Sequence, residues 1–383
     1  MYQRILLESV ISALNRHKIV IIYGTRQVGK TTLSKQVVEH YKQDFNLETN
    51  SIFWADGDQL ETQAALSSQN LKTLLSYIGK IRLLVVDEAQ RIENIGINLK
   101  ILYDNLPDLR ILVTGSSSLD LANKTSEPLT GRSLEFFLTP LSFKELVQQE
   151  SIFSLKYNIE NLLIYGTYPH IYGLKSNKDK VQDLKNLSSN YLYKDILTWE
   201  NIRKSDKLTK ILKYLAVHIG GQISIHDIAT KLEISSQTVE KYIDLLEKTF
   251  VICRLNAYST NPATEISKSI KIYFWDLGVR NSFIQNLNSF DSRDDIGGIW
   301  ENFCVIERMK KNINAGIFAN YYFWRNYNQN EVDLIEERDG KLIGFEFKYN
   351  KKTITKGSYN FSKSYPNSTL ELINKDNIDD FLI

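Results

Sequence analysis

The segment 24–32 places a complete phosphate-loop pattern directly after the apolar run 19–23. In G-x-x-x-x-G-K-T, the glycines let the backbone curl around an anion, the lysine reaches the β/γ-phosphates and the threonine faces Mg²⁺. A glycine turn without a ligand is the alternative, but the strand before and the helix expected at 31–40 favour an ATP site. The residues predicted to bind nucleotide here are Gly24, Thr25, Arg26, Gln27, Val28, Gly29, Lys30, Thr31 and Thr32, with Thr31 also a ligand of Mg²⁺.

A second apolar run, 82–86, ends in Asp87 and Glu88, which is the form of a Walker B element. It predicts that Asp87 binds nucleotide-bound Mg²⁺ through water and that Glu88 polarises the attacking water. A buried strand with a solvated acidic end is the alternative. A third run, 110–113, leads to Thr114 and Ser116, either of which would contact the γ-phosphate as a sensor. Small polar residues are also common in turns, so both interpretations of these two residues stay open.

Helices and strands alternate along the first 150 residues. Strands are expected at 18–23, 51–55, 82–87, 110–114 and 134–138, and helices at 4–16, 31–40 and 95–105. Such alternation predicts an α/β domain in which helices cover a parallel sheet. Ligands bind beyond the carboxyl ends of the strands in these sheets, so the loops that follow strands one, three and four should converge.

Composition limits the possible classes of protein. A chain of 383 residues exceeds the roughly 250–300 residues of a single core, which predicts two or three domains. A net charge of +2 is too small to indicate a nucleic-acid partner by itself. Cys253 and Cys304 lack metal-ligand spacing, which favours a reduced, cytoplasmic setting. No apolar run approaches the roughly 20 residues that span a bilayer, so no membrane association is expected.

The pattern becomes helical after about residue 143. Segments 220–229 and 231–243 indicate helix, short turn, helix, and the strands 250–255 and 271–275 that follow predict a winged-helix fold. The second helix carries Glu240, Asp244 and Glu247 against two lysines, whereas a helix that reads DNA should be basic. Packing against the ATPase core or a partner is therefore favoured, with DNA reading as the alternative.

Near the C-terminus, Asp333 lies on one predicted strand, and Glu346 and Lys348 share a face of the next. This is the spacing of the PD-(D/E)XK nuclease core. In that core two carboxylates hold Mg²⁺, the lysine orients or activates a water, and a helical glutamate, here Glu301, completes the ligands. Solvated strand faces give the same pattern, so metal binding and DNA cleavage are open expectations.

Taken together, these motifs resemble the prokaryotic AAA+ ATPase family whose C-terminal domain is the domain of unknown function 4143. Further matching segments are 87–91, 114–117, 130–132, 138–143, 165–169 and 331–333. The resemblance implies a homo-oligomer in which Arg132 contacts the γ-phosphate, commonly on a neighbouring subunit, with Arg91 as a weaker candidate. A surface arginine after a glycine turn is the other interpretation of Arg132.

The expected organisation has four segments: a P-loop AAA+ ATPase core at 1–140, a helical lid or linker at 141–204, a winged-helix-like domain at 205–285 and a PD-(D/E)XK-like α+β domain at 286–383. The resulting prediction is an ATP- and Mg²⁺-dependent ATPase that couples its nucleotide state to a nuclease-like domain acting on DNA. The alternatives are a nucleotide-gated switch that binds a protein through an inactive nuclease fold, and a regulator that binds an operator.

Overall fold

The computed structural model describes residues 2–44, 49–116, 128–192, 205–259, 269–326, 328, 330–354 and 358–383. The chain forms two compact units. The N-terminal unit comprises Met1–Thr139 with Lys248–Phe250, and the C-terminal unit comprises Pro140–Glu247 with Val251–Ile383. Residues 193–204 of the predicted helical linker lie outside the described residues.

The described part of the N-terminal unit contains a five-stranded sheet in the order β2-β3-β4-β1-β5, parallel throughout. The strands are β1 Ile19–Tyr23, β2 Ile52–Asp56, β3 Leu83–Asp87, β4 Arg110–Gly115 and β5 Ser133–Phe137. The helices are α1 Leu6–Asn15, α2 Lys30–Asp44, α3 Leu60–Leu66, α4 Leu71–Ile78 and α5 Ile95–Asn105, with 3-10 turns at Thr49–Ser51 and Ala89–Arg91. The predicted parallel α/β sheet is confirmed.

Both faces of this sheet are buried, which is why its strands appear as continuous apolar runs. Ile19 and Ile21 of β1 pack into one core cluster, whereas Val20 and Ile22 pack into another. Because side chains alternate along a strand, the two clusters lie on opposite faces of the sheet. The sheet therefore holds the carboxyl ends of its strands, where the predicted site lies, on a rigid support.

The described part of the C-terminal unit contains a seven-stranded mixed sheet in the order β12-β11-β10-β9-β7-β8-β6. Its strands are β6 Gln222–Ile223, β7 Ile252–Ala257, β8 Ile270–Phe274, β9 Asn320–Arg325, β10 Glu331–Arg338, β11 Lys341–Phe347 and β12 Thr369–Ile373. Its helices are α6 Phe143–Val147, α7 Ile152–Tyr157, α8 Ile159–Tyr165, α9 Pro169–Gly173, α10 Asn177–Asn186, α11 Ser205–Val217, α12 Ile225–Leu232, α13 Ser236–Lys248, α14 Leu277–Phe283, α15 Ile296–Asn314, α16 Tyr359–Ser364 and α17 Ile378–Leu382, with a π-helical turn at Leu187–Leu192 and a 3-10 turn at Phe290–Ser292.

The helix-turn-helix of the middle region is formed by α12 and α13, and β7 and β8 pair antiparallel as the sequence predicts. This strand pair is not a separate wing, however, because β7 also pairs in parallel with β9. The acids of α13 are partly neutralised as well. The guanidinium of Arg254 lies 3.0 Å from Asp244 Oδ1 and 2.9 Å from Glu247 Oε2. The winged-helix interpretation stays a prediction.

The strands β9, β10 and β11 form two successive antiparallel pairs, and β12 adds in parallel to β11. Helix α15 precedes them in the chain, and its apolar residues Ile299, Phe303 and Ile306 recur at helical spacing and are buried. This arrangement places Asp333 on β10 beside Glu346 on β11. None of the described helices combines the length and apolar character that crossing a bilayer requires.

Candidate functional site

The phosphate loop connects the end of β1 to the first turn of α2, so the amino terminus of this 15-residue helix faces the loop. Gln27 (φ 62°) and Gly29 (φ 103°) have left-handed backbone conformations, which curl the loop. A methyl group on Gly24 would lie 2.3 Å from the carbonyl oxygen of Leu138, so only glycine fits there. The loop therefore presents main-chain amides and a helix dipole to an anion.

Lys30 and Arg4 both hold this loop by donating hydrogen bonds to its backbone carbonyl oxygens. The Nζ of Lys30, a residue only 5% exposed, donates to the carbonyl oxygens of Gly24 at 2.9 Å and Thr25 at 3.1 Å. The buried Arg4 donates from Nη1 to the Val28 carbonyl at 2.9 Å and from Nη2 to the Thr139 carbonyl at 2.7 Å. The sequence pattern did not identify Arg4, because its partners lie far along the chain.

Asp87 lies at the carboxyl end of β3, where its two carboxylate oxygens have different partners. Oδ2 accepts a 2.9 Å hydrogen bond from the Thr31 hydroxyl, and Oδ1 accepts one from the Thr114 hydroxyl. Since β4 lies between β1 and β3, its tip brings Thr114 to the Walker B acid. A threonine hydroxyl beside a carboxylate is an oxygen donor set that suits Mg²⁺, so Thr31 and Asp87 fit the predicted metal.

Glu88 has a left-handed backbone (φ 52°), and its amide donates to Thr114 Oγ1 at 3.1 Å. Its carboxylate accepts a hydrogen bond from the side-chain amide of Gln90, which also donates to Ser116 Oγ at 3.1 Å. Gln90 therefore connects the predicted catalytic acid to the predicted sensor. The sequence offered Gln90 only as part of a family motif, because a side-chain amide carries no distinctive charge.

The structure does not bring Arg132 to the phosphate loop of its own chain. Arg132 immediately precedes β5, and its carbonyl accepts from the Ile19 amide at the start of β1, whereas the loop follows the end of β1. Its guanidinium binds Asp104 through two hydrogen bonds of 2.9 and 3.2 Å. Arg91 lies after β3, with Nε 3.4 Å from Asp58 Oδ1. The roles predicted for Arg132 and Arg91 stay predictions.

In the C-terminal unit, the structure brings Asp333, Glu346 and Lys348 together. Lys348 Nζ lies 3.4 Å from Asp333 Oδ2 and 3.6 Å from Glu346 Oε1. Asp333 Oδ2 also accepts the Phe347 amide at 2.8 Å, and Glu346 Oε2 accepts the Ser358 hydroxyl at 2.8 Å. The antiparallel register of β10 and β11 produces this juxtaposition.

Glu301 binds two side chains from β8 that the sequence pattern did not identify. Its Oε1 accepts hydrogen bonds from Lys271 Nζ at 2.8 Å and from the Tyr273 hydroxyl at 2.7 Å. Lys271 Nζ also lies 2.5 Å from Glu331 Oε1 and 3.9 Å from Asp333 Oδ1. The sequence does contain a signal for this contact, namely a lysine inside the apolar strand sequence IKIYF. Lysine is almost never fully buried unless it is paired, so its position predicts acidic partners.

These contacts do not fit a magnesium ion bound by Glu301, Asp333 and Glu346. Within the described ranges, no group of three histidine, cysteine or acidic side chains is arranged to hold a metal. The physical reason is that the Lys271 ammonium lies between Glu301, Glu331 and Asp333, so a protein cation already neutralises these carboxylates. The sequence prediction of this second metal site is not supported by the arrangement.

The protonation of Glu301 leads to a prediction about pH. Burial raises the pKa of Glu301 from 4.5 to about 7, against the opposing attraction of Lys271. A raised folded-state pKa contributes stability that is present below the unfolded pKa and is lost as pH rises toward the folded pKa. The free energy of unfolding should therefore fall between about pH 4.5 and pH 7 more steeply in the natural protein than in Glu301→Gln. Urea unfolding across this range measures it, and parallel profiles would contradict it.

Three family models match successive parts of the chain. An AAA domain matches residues 16–147, the domain of unknown function DUF8612 matches 156–290, and the domain of unknown function DUF4143 matches 296–378. The matches confirm the resemblance and assign the parallel sheet with its phosphate loop to the AAA fold.

The chain is similar to other proteins across most of its length. An uncharacterized protein of Mycobacterium tuberculosis is 27% identical over 88% of this chain and 71% of the relative. An uncharacterized protein of Methanocaldococcus jannaschii is 28% identical over 94% and 81%. Among solved structures, domain III of the replication initiation protein DnaA from Thermotoga maritima aligns with 63% of this chain and 89% of that chain, at 14% identity and a TM-score of 0.32.

Proposed function

We propose that this chain, which matches an AAA domain and a DUF4143 domain, hydrolyses ATP and that its nucleotide state controls the C-terminal domain. The observation that carries this proposal is the network at the carboxyl edge of the parallel sheet. There Thr31 and Thr114 both bind Asp87, next to a phosphate loop that holds the Lys30 ammonium.

Each part of this edge has a chemical task in ATP hydrolysis. The main-chain amides of 24–29 and the α2 terminus bind the phosphates, and Lys30 pairs with the β/γ-phosphate oxygens. Thr31 and Asp87 would hold Mg²⁺, which supplies positive charge to the phosphate oxygens when it is bound. Glu88 orients and polarises the attacking water, and Gln90 holds the Glu88 carboxylate toward Ser116.

Removing the ammonium of Lys30 tests the nucleotide site. We expect Lys30→Ala to weaken ATP binding roughly tenfold or more, since one charge-assisted hydrogen bond contributes about 1.5–3 kcal/mol. Lys35→Ala is the matched control, because Lys35 is exposed on the same helix. Binding of a fluorescent ATP analogue and phosphate release, each with and without DNA, provide the measurements. Turnover absent from the natural protein, or unchanged in Lys30→Ala, would contradict the proposal.

The position of Arg132 supports an oligomer. Since its guanidinium lies at the amino edge of the sheet, away from the loop of its own chain, it would meet a γ-phosphate only on a neighbouring subunit. Mixing Lys30→Ala with Arg132→Ala protein tests this arrangement. Restored turnover in the mixture is expected, because a Lys30→Ala subunit supplies the arginine to an intact loop. If a mixed oligomer forms but its ATP turnover does not recover, the role of Arg132 would be limited to its hydrogen bonds with Asp104.

For the C-terminal domain we propose a nuclease-like fold that binds DNA without cutting it. Helix α15, the strands β9 to β11 and the group Asp333, Glu346 and Lys348 support the nuclease-like fold. The ammonium of Lys271 among the acids argues against metal-dependent cleavage. Fluorescence anisotropy with labelled duplex DNA, with and without ATP, should show nucleotide-dependent binding and no product. A DNA cleavage product that the natural protein forms and Asp333→Ala does not would instead establish cleavage. If the domain binds no DNA, a protein partner would be favoured.

A further inference from the structure

Lys271 has no part in ATP hydrolysis, yet it is among the most enclosed charged side chains of the described residues, at 1% exposure. It lies on β8, where alternation places Lys271 and Tyr273 on the same face of the strand. Both side chains donate to Glu301 Oε1. An isolated buried charge is very costly, so an ammonium here requires partners that outweigh the loss of water.

Three carboxylates supplied by two separate elements converge on this one nitrogen. Glu301 comes from α15, and Glu331 and Asp333 come from β10. Their nearest oxygens lie 2.8, 2.5 and 3.9 Å from Lys271 Nζ. The ring of Phe323 lies 5.7 Å from the same nitrogen and adds a cation–π contact. Carboxylate oxygens are also the ligand type that hard divalent metals prefer.

We propose that the Lys271 ammonium is the resident cation of this cluster, so that the C-terminal domain keeps its acidic centre folded without a divalent metal. The three carboxylates point at a place that one cation can fill, and the side chain fills it. A fixed ammonium supplies charge, but it coordinates no water and generates no hydroxide. Removing it should leave the oxygens of Glu301, Glu331 and Asp333 around a vacated position, which a metal can then occupy.

Manganese titration followed by electron paramagnetic resonance tests this proposal. The protein is kept free of nucleotide and carries Lys30→Ala, which separates the result from the phosphate loop. We expect no Asp333-dependent Mn²⁺ binding in this protein. One Mn²⁺ per chain should bind after Lys271→Ala, and adding Asp333→Ala should abolish that binding. Lys348→Ala is the matched control, because it removes the other lysine near Asp333 and leaves Lys271 in place.

If Lys271→Ala does not fold, Lys271→Met replaces it in the experiment, because methionine keeps most of the apolar part of the lysine side chain. Folded Lys271 variants that bind no more Mn²⁺ than their parent would overturn the proposal, as would an equal gain in Lys348→Ala. If neither Lys271 variant folds, the Lys30→Ala parent protein provides the test. Binding of one Mn²⁺ per chain that Asp333→Ala abolishes would overturn the proposal, and the absence of such binding supports it. Failure of ATP turnover would leave these outcomes unaffected, since the titration contains no nucleotide.

Discussion

Glu88→Gln is expected to lower the rate of ATP hydrolysis by roughly 10²–10⁴-fold, the usual contribution of a positioned general base, while ATP binding is retained. Glutamine has nearly the same shape as glutamate and can still accept the hydrogen bond that Gln90 donates. The neutral amide of glutamine, however, lacks the negative charge with which Glu88 polarises the attacking water. The binding groups should be unaffected, because Lys30 bonds within the loop and Thr31 bonds to Asp87.

Separate measurements of binding and chemistry check this expectation. Equilibrium titration with a fluorescent ATP analogue measures nucleotide binding, and single-turnover phosphate release measures the rate of hydrolysis. Glu93→Gln is the control, since Glu93 is an exposed acid a few residues along the chain. Unchanged turnover in Glu88→Gln would remove Glu88 from catalysis. An equal loss of binding and turnover would show that Glu88 supports the loop rather than the reaction.

Much of the nucleotide site could be predicted from the sequence because its parts are local. The loop 24–32 is contiguous, Asp87 ends β3, and Thr114 lies one residue before the end of β4, and an apolar run marks each of these strands. Parallel strands bring such ends to one edge of the sheet, so proximity follows from the fold class. Arg4 could not be predicted in this way, because its hydrogen bonds to Val28 and Thr139 depend on how distant segments pack.

The C-terminal cluster shows the same division between local and distant contacts. Asp333, Glu346 and Lys348 lie on strands that are consecutive in the chain, so their spacing predicts that they meet. Lys271 comes from β8, and β9 and β7 lie between β8 and β10 in the sheet. No spacing rule connects strands that join through a mixed sheet. The sequence therefore predicted Mg²⁺ beside Glu301 and Asp333, where the folded chain places the ammonium of Lys271.

The buried ammonium also leads to a large expected change in stability. Lys271→Met should lower the free energy of unfolding by about 3–5 kcal/mol, because breaking a buried ion pair leaves uncompensated charge in a low-dielectric interior. The stranded carboxylates would be those of Glu301 and Glu331, whose oxygens lie within 2.8 Å of Lys271 Nζ. Urea unfolding above pH 7 measures the loss, because burial raises the pKa of Glu301 to about 7 and its carboxyl group is mostly charged above that pH. Lys352→Met is the control, since its ion pair with Asp376 is exposed and should contribute little.

Removing the partners together with the lysine separates lost charge balance from lost packing. The triple variant Lys271→Met, Glu301→Gln, Glu331→Gln keeps side chains of similar size, and the amide oxygen that replaces the Glu301 carboxylate can still accept from the Tyr273 hydroxyl. Replacing a buried ion pair or triad together is often close to neutral, and Asp333 keeps Lys348 as a partner at 3.4 Å, so the triple variant should recover most of the stability that Lys271→Met loses. If the triple variant is as unstable as the single one, the lysine stem rather than its charge supports the fold. The acids would then not require a resident cation.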